Sequence, residues 1–166
     1  IKQFASESGK KAGEFYTPQK VSRLLARLTL VDKDYTDGMT VYDPTMGSGS
    51  LLLNFRKYVE HSERITYFGQ EINTSTYNLA RMNMILHNNP EAVIEKGQST
   101  LSNPLHTDKA TGNLKTINFV VANPPFSSKN WMDGFNPNDD YYGRFEEGKI
   151  PPAKNGDYAF LLHIIK

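Results

Sequence analysis

Asp43-Pro44-Thr45-Met46-Gly47-Ser48-Gly49 is the stretch that decides the fold. Thr40, Val41 and Tyr42 before it form a short β-favouring run, and a helical segment follows it to about His61. A glycine loop between a buried strand and a helix lets a ligand approach the backbone and sets it at the helix N-terminus. Only two glycines are present, and no third follows at the spacing of a dinucleotide-binding fingerprint. The acid at the strand end makes the loop a poor phosphate cradle; Asp43 favours a cationic or hydroxyl-bearing ligand instead. The same residues would also serve as a tight βα turn with a polar strand end, and on this segment alone both readings stand.

Toward the N-terminus, residues 1–13 are polar and aperiodic, a tail or linker. The aromatic pair Phe15-Tyr16 then precedes Thr17-Pro18, where Thr17 is placed to cap a helix and Pro18 to begin it. Val21, Leu24, Leu25, Leu28 and Val31 follow at helical spacing and form its expected core face. Toward the C-terminus, residues 65–70 predict a second strand closing on Glu71. Glu71 lies 22 residues after Gly49, where an acid commonly grips ribose hydroxyls. Asn73 caps a third helix with apolar residues on two faces, Tyr77, Ala80 and Met84 on one and Leu79, Met82 and Leu86 on the other. That helix is therefore expected to be well buried.

A weak third strand surrounds residues 92–95, and the continuous apolar run 117–122 predicts a fourth, buried on both faces. The fourth strand stops at Asn123-Pro124-Pro125-Phe126, because two prolines cannot continue a ladder. Consecutive prolines fix the backbone, so the Asn123 side chain and the Pro124 carbonyl are held in a set geometry. Two acceptors facing one point suit an exocyclic amino group, and Phe126 can stack on the planar ring that bears it. A strand terminator followed by an aromatic plug is the plainer alternative. Residues 128–156 show no periodicity and hold seven Gly or Pro and five aromatics, the makeup of either a functional or a disordered loop. An apolar helix begins at Asp157. Strands alternating with helices predict an α/β fold, a doubly wound parallel sheet with right-handed crossovers. If strands one and four are neighbours, the Asp43 and Asn123 loops open into one crevice.

Composition narrows the field further. The 166 residues are 38% hydrophobic and 22% charged, as in one soluble globular domain. No apolar run approaches the roughly 20 residues of a membrane helix, so no membrane partner is expected. The chain has no cysteine, which excludes disulfide scaffolds, thiol catalysis and Cys-based zinc sites and fits a reducing cytoplasm. His61, His87, His106 and His163 show no ligand spacing, so no metal site is expected. The net charge of +1 does not describe a basic nucleic-acid clamp. Residues 1–27 are nonetheless basic, with six Lys or Arg against two acids. The chain starts without Met and its last apolar segment stops in mid-pattern, as expected of a piece of a longer protein.

The ordered set Phe-Tyr-Thr-Pro, Asp-Pro-x-x-Gly-Ser-Gly, Gln-Glu at a strand end and Asn-Pro-Pro-Phe resembles the amino-methylating DNA methyltransferases. Within them it is most similar to the modification subunits of type I restriction–modification systems, over about residues 13–166. The resemblance implies a Rossmann-like S-adenosylmethionine-dependent fold, cut after about the fourth strand, with residues 14–166 as the N-terminal part of the catalytic domain. It implies methyl transfer to N6 of an adenine flipped out of double-stranded DNA. The implied partners are a DNA-specificity subunit, a second copy of the modification subunit and a restriction subunit. Glu14, Phe15, Tyr16, Thr17, Pro18 and Gln19 would border the cofactor, as would Asp43, Thr45, Gly47, Ser48, Gly49 and Ser50. Asp43 would lie near its methionine amino end, Glu71 would bind the ribose and Ile72 would flank the cofactor adenine. Asn123, Pro124 and Phe126 would hold the target adenine. The family often has an acid after the third strand, near Gly97-Gln98-Ser99, where this chain offers Gln98 or Ser99; the Gln98 amide can still accept from an adenine amino group. Other amino-group methyltransferases, acting alone on adenine or on a protein glutamine, share much of this pattern. A non-catalytic cofactor-binding module for assembly is the alternative outside enzymes. By the same resemblance the sheet lacks strands, so the isolated chain is expected to fold marginally and to be inactive.

Overall fold

A computed structural model describes residues 17–31, 38–59, 62–146 and 148–166. The expected tail, Glu14, Phe15, Tyr16 and His61 lie outside the described residues. In chain order the elements are α1 (Gln19–Leu30), β1 (Thr40–Asp43), α2 (Ser50–Arg56), β2 (Thr66–Glu71), α3 (Thr74–Leu86), β3 (Val93–Lys96), β4 (Phe119–Val120) and α4 (Asp157–Ile165). The strands form one parallel sheet in the order β3-β2-β1-β4. Val41 is in register with Tyr67 on one side and Phe119 on the other. The chain winds outward from β1 through β2 to β3, then crosses to the opposite side for β4. The strand order therefore reverses between β1 and β4, where a crevice opens at the carboxyl ends of parallel strands.

Alternation and small residues set the packing. Val41, Leu52, Phe55, Tyr67, Ala80, Met84, Ile94 and Phe119 are buried in the main core. The α1 helix corrects the sequence expectation: it buries Ser22, Ala26 and Leu30, and Leu25 only partly, while Val21, Leu24, Leu28 and Val31 are exposed. Small side chains at positions 22 and 26 allow close approach to α2, and Asn54 of that helix donates a hydrogen bond to the Ser22 hydroxyl. Thr17 makes no capping bond to α1; Pro18 occupies the cap position and its carbonyl takes the amides of Val21 and Ser22. The second helix is shorter than expected, ending at Arg56.

Two more expectations change. Asn73 caps α3 through the Thr76 amide at 3.0 Å, as its position suggests. That helix, however, buries only Ala80, Asn83 and Met84, and leaves Met82, Ile85 and Leu86 exposed. The fourth strand is two residues long, with Phe119 buried and Val120 partly so, and among the described residues it has a neighbour on one side only. Asn118 stands in for a further rung, its side-chain oxygen accepting from the Thr40 amide at 2.9 Å.

The described residues of 128–156 remain irregular apart from one 3-10 turn at Pro137–Asp139, yet Trp131, Pro137, Arg144, Phe145, Pro151 and Gly156 among them are buried. A second core joins Leu101, Trp131, Phe145, Ala159 and Phe160. Arg144 lies inside it, with ion-paired Nη2 2.6 Å from Asp140 Oδ1. The same guanidinium donates to the Leu101 carbonyl at 2.7 Å and lies over the rings of Phe135, Tyr142 and Phe145. Burial alone would raise the Asp140 carboxyl, but the side-chain and backbone hydrogen bonds from Arg144 outweigh it and hold the group below the usual range. His163 faces the other side of Arg144 at 3.3 Å, and burial together with that cation pushes its pKa down to about 3. No helix among the described residues is long and apolar enough to cross a membrane.

Candidate active site

The β1–α2 loop is held from three directions. Met46 donates its amide to the Gln70 carbonyl at 3.1 Å, which ties the loop to β2. Thr100 donates its hydroxyl to the Pro44 carbonyl at 2.6 Å, and Asn83 of α3 donates to the Ser48 carbonyl at 3.0 Å. Gly47 and Gly49 have φ of +54° and +76°, a conformation that favours glycine. A Cβ on Gly49 would also lie 2.6 Å from the Met84 methyl. We expect Gly49→Ala to destabilise the intact protein by about 1–2 kcal/mol through backbone strain, since the Met84 side chain can move. Urea unfolding of both proteins would measure it.

Asp43 ends β1 with 1% of its surface exposed. Its Oδ1 accepts the Thr45 amide at 3.0 Å, whereas Oδ2 is buried without a hydrogen-bond partner. Burial pushes the carboxyl up to about 7; the Thr45 amide and, more weakly, the nearby Thr45 hydroxyl oppose the shift, and the Glu71 charge adds to it. Among the described residues only three buried side-chain atoms lack a partner: Asp43 Oδ2, Thr45 Oγ1 and Arg56 Nε. Two of the three therefore belong to this loop. Unpartnered buried acceptors are costly in a folded protein and ask for an explanation by ligand or function.

Glu71 ends β2 and is also buried. One oxygen accepts the Gly47 amide at 3.0 Å and the other the Asn73 amide at 2.7 Å. The carboxylate thus joins the glycine loop to the start of α3, a contact the sequence does not announce. Gln70 beside it is buried, donating to the carbonyls of Gln98 and Asn103 and accepting the Leu105 amide at 2.9 Å.

Across the crevice, Asn123 follows β4 and donates Nδ2 to the Thr17 hydroxyl at 3.0 Å. Thr17, 106 residues away in sequence, therefore anchors the amide rather than capping a helix. Thr17, Asp43, Thr45, Gly47, Ser48, Ser50 and Asn123 line one cleft, with Met46 and Leu51 as walls that sequence reasoning did not single out. The other expected residues lie outside that lining. Pro18 and Gln19 are exposed at the start of α1, Ile72 and Gln98 are exposed beyond β2 and β3, and Gly49 is buried beneath the loop. Phe126 is 64% exposed and lines neither this cleft nor the groove at Pro124. Pro124 lines a separate, larger apolar groove of about 340 Å³ between α1, β4 and α4, away from the Asp43 cleft.

A parallel sheet with its order reversed beside β1, a glycine loop over a buried carboxylate with one unpartnered oxygen, and a proline-flanked amide lining the same cleft make a methyltransferase-like architecture. A class I S-adenosylmethionine-dependent methyltransferase from Listeria monocytogenes shares the fold at 18% identity, with a TM-score of 0.64 over 98% of this chain and 47% of that one. The chain belongs to the N-6 DNA Methylase family, whose model matches residues 1–166. It is 40% identical to the type I restriction enzyme MpnII methylase subunit of Mycoplasma pneumoniae, over 99% of this chain and 31% of that protein. It is 28% identical to the HindI methylase subunit of Haemophilus influenzae, over 99% of this chain and 35% of that protein. The crystal structure of a type I restriction–modification methyltransferase subunit from Streptococcus thermophilus is similar, with a TM-score of 0.78 and 45% identity over 99% of this chain and 34% of that one. The chain thus spans about a third of the length of these relatives.

Proposed function

We propose that the chain is the cofactor- and adenine-binding part of an adenine-specific DNA methyltransferase, the modification subunit of a type I restriction–modification complex. Residues 14–166 would form the N-terminal part of its catalytic domain. The family membership and the type I methylase relatives support the system, and the unpartnered Asp43 Oδ2 in a cleft shared with Asn123 supports the chemistry.

The donor set fits S-adenosylmethionine. Asp43 Oδ2 is a buried acceptor suited to a cationic amino end, and the open side of Gly47 leaves room at the loop, since a Cβ there would meet nothing within 4 Å. Glu71, ending the neighbouring strand, would take the ribose side, and Ile72 would cover the cofactor adenine. Thr17, Thr45, Ser48 and Ser50 would line the methionine end. When bound, the cofactor supplies a methyl group on a positively charged sulfur.

The protein's own task is to present the target nitrogen. The N6 lone pair of adenine is delocalised into the ring, so it is a weak nucleophile. Hydrogen bonds from N6 to Asn123 Oδ1 and the Pro124 carbonyl would favour a more tetrahedral nitrogen and localise that pair. Positioning then supplies much of the rate, and no nucleophilic side chain is needed. Extruding the base from the duplex costs a few kcal/mol, which stacking on Phe126 would partly offset. With a net charge of +1, most of the grip on DNA would fall to other domains and to the specificity, restriction and second modification subunits.

Incubating the intact protein and its partners with labelled cofactor separates the readings. Label should appear as N6-methyladenine in duplex DNA. Label confined to glutamine of a supplied protein would replace the DNA reading with that of a protein methyltransferase.

A further inference from the structure

Ser127, directly after Phe126, has a φ of +48°. Among the described residues only Asn88 is a further non-glycine with positive φ, and asparagine tolerates that region far better than serine. Strain of this kind persists where the surroundings over-determine the backbone, and it concentrates at functional sites. Here the surroundings are visible. The Ser127 amide donates to Asp157 Oδ1 at 2.6 Å, across 30 residues of sequence. One residue on, the Ser128 carbonyl accepts the Gly156 amide at 3.0 Å.

Asp157 is exposed, but its backbone is tied to the second core. It opens α4, whose Ala159 and Phe160 are buried in the second core. Gly156 before it abuts Trp131 so closely that a Cβ would lie 2.5 Å from the Trp131 Cβ. Trp131 is buried, and its Nε1 donates to the Pro152 carbonyl at 3.0 Å. The second core therefore reaches the Asn-Pro-Pro-Phe loop through one carboxylate. Upstream of the loop, Pro124 and Pro125 stiffen the chain; downstream, Asp157 pins it. Phe126 lies between these fixed points with its ring largely exposed.

We propose that Asp157 is a positioning residue: by clamping the strained Ser127 backbone it holds Phe126 at the mouth of the crevice, ready to stack on a planar base. The inference rests on the proposed adenine target and adds how the stacking ring is held. It also assigns the irregular segment 128–156 a task, as the packed support from which the clamp extends.

The test uses the full-length protein in its complex, with 2-aminopurine replacing the target adenine in the duplex. Stacking on an aromatic ring quenches this base once it is flipped. Phe126→Ala should brighten its emission, and Asp157→Ala should change it in the same direction. On a duplex that keeps the target adenine, Asp157→Ala should also lower kcat/KM for DNA about tenfold or more, as expected for a misplaced positioning group. Cofactor affinity should stay within about threefold, since Asp157 lines the Pro124 groove and not the Asp43 cleft. Asp157→Asn keeps an acceptor oxygen and should restore most of the signal. Ser127→Gly in the Asp157→Ala background should restore part of it, because glycine holds a positive φ without the clamp. Loss of packing around Trp131 would not be repaired by that second change. Wild-type emission and turnover in Asp157→Ala, or no rescue by Ser127→Gly, would overturn the proposal. Wild-type behaviour of Phe126→Ala would instead overturn the reading of the target site itself.

Discussion

Asn123→Ala should lower methyl transfer by about 10²–10³-fold or more while leaving cofactor binding within about threefold, which is the pattern of a group that acts on the reacting nitrogen. The amide stands between two demands. Its Nδ2 donates to Thr17 at 3.0 Å, and the rest of the side chain faces the cleft that Asp43 and the glycine loop also line. A hydroxyl can accept or donate, so Thr17 fixes where the amide sits. In the proposed reaction the target amino group only donates, and it would select the orientation with Oδ1 inward. Alanine removes the acceptor altogether; valine at position 17 removes only the anchor, for which about a tenfold fall is expected from loosened orientation. Glutamine at position 123 keeps the chemistry but moves the acceptor by about 1 Å or more, enough for about a hundredfold loss. Single-turnover assays with saturating cofactor would read all three. Turnover at the wild-type rate in Asn123→Ala would remove this residue from the mechanism.

Much of this site is legible in local sequence because its parts are local motifs. A β-favouring run, an acid and a glycine loop place Asp43 and Gly47; consecutive prolines place Asn123. The adjacency of β1 and β4, expected only conditionally from the α/β pattern, is what brings them together. The connections that hold the motifs in place are not local, and no periodicity announces them. Thr17 has the sequence position of a helix cap, yet its hydroxyl is used by a residue 106 positions away. Glu71 looks like a free ribose ligand at a strand end, yet it also takes the Gly47 and Asn73 amides. The exposed stripe of α1 misleads for a different reason: apolar spacing marks a face without saying what covers it, and Ser22 and Ala26 win the contact with α2 through size. The segment 128–156 shows the converse, since a core made of scattered aromatics, an arginine and a glycine against a tryptophan has no repeat to detect.

Asp43 gives the second large effect, and here pH carries the argument. Its carboxyl is held at about 7 in the folded chain, against an ordinary value near 3.9 when unfolded. A raised acid favours its neutral form in the fold. Stability from this group is therefore full below about pH 3.9 and is lost as pH rises through about 7, by an amount of order 4 kcal/mol if the whole shift is realised. Asp43→Asn removes the penalty, so the variant should be more stable than wild type at pH 8 and nearly equal to it at low pH, as measured by urea unfolding. Ligand binding should run the other way. A cation pairing with Oδ2 requires the ionised form, so binding below about pH 7 must expel a proton. Affinity for S-adenosylmethionine should then climb by up to tenfold per pH unit toward 7 and level off above it. Calorimetry in two buffers of different ionisation enthalpy would count the proton released. In Asp43→Asn that proton should vanish, the slope below pH 7 should flatten and affinity at pH 8 should fall about 10²–10³-fold, as expected when one partner of a buried charge pair is removed. A protein stabilised and disarmed by the same substitution is the signature of a carboxylate kept buried for a ligand. An Asp43→Asn variant that binds the cofactor at pH 8 as tightly as wild type would show that the buried acceptor faces something else.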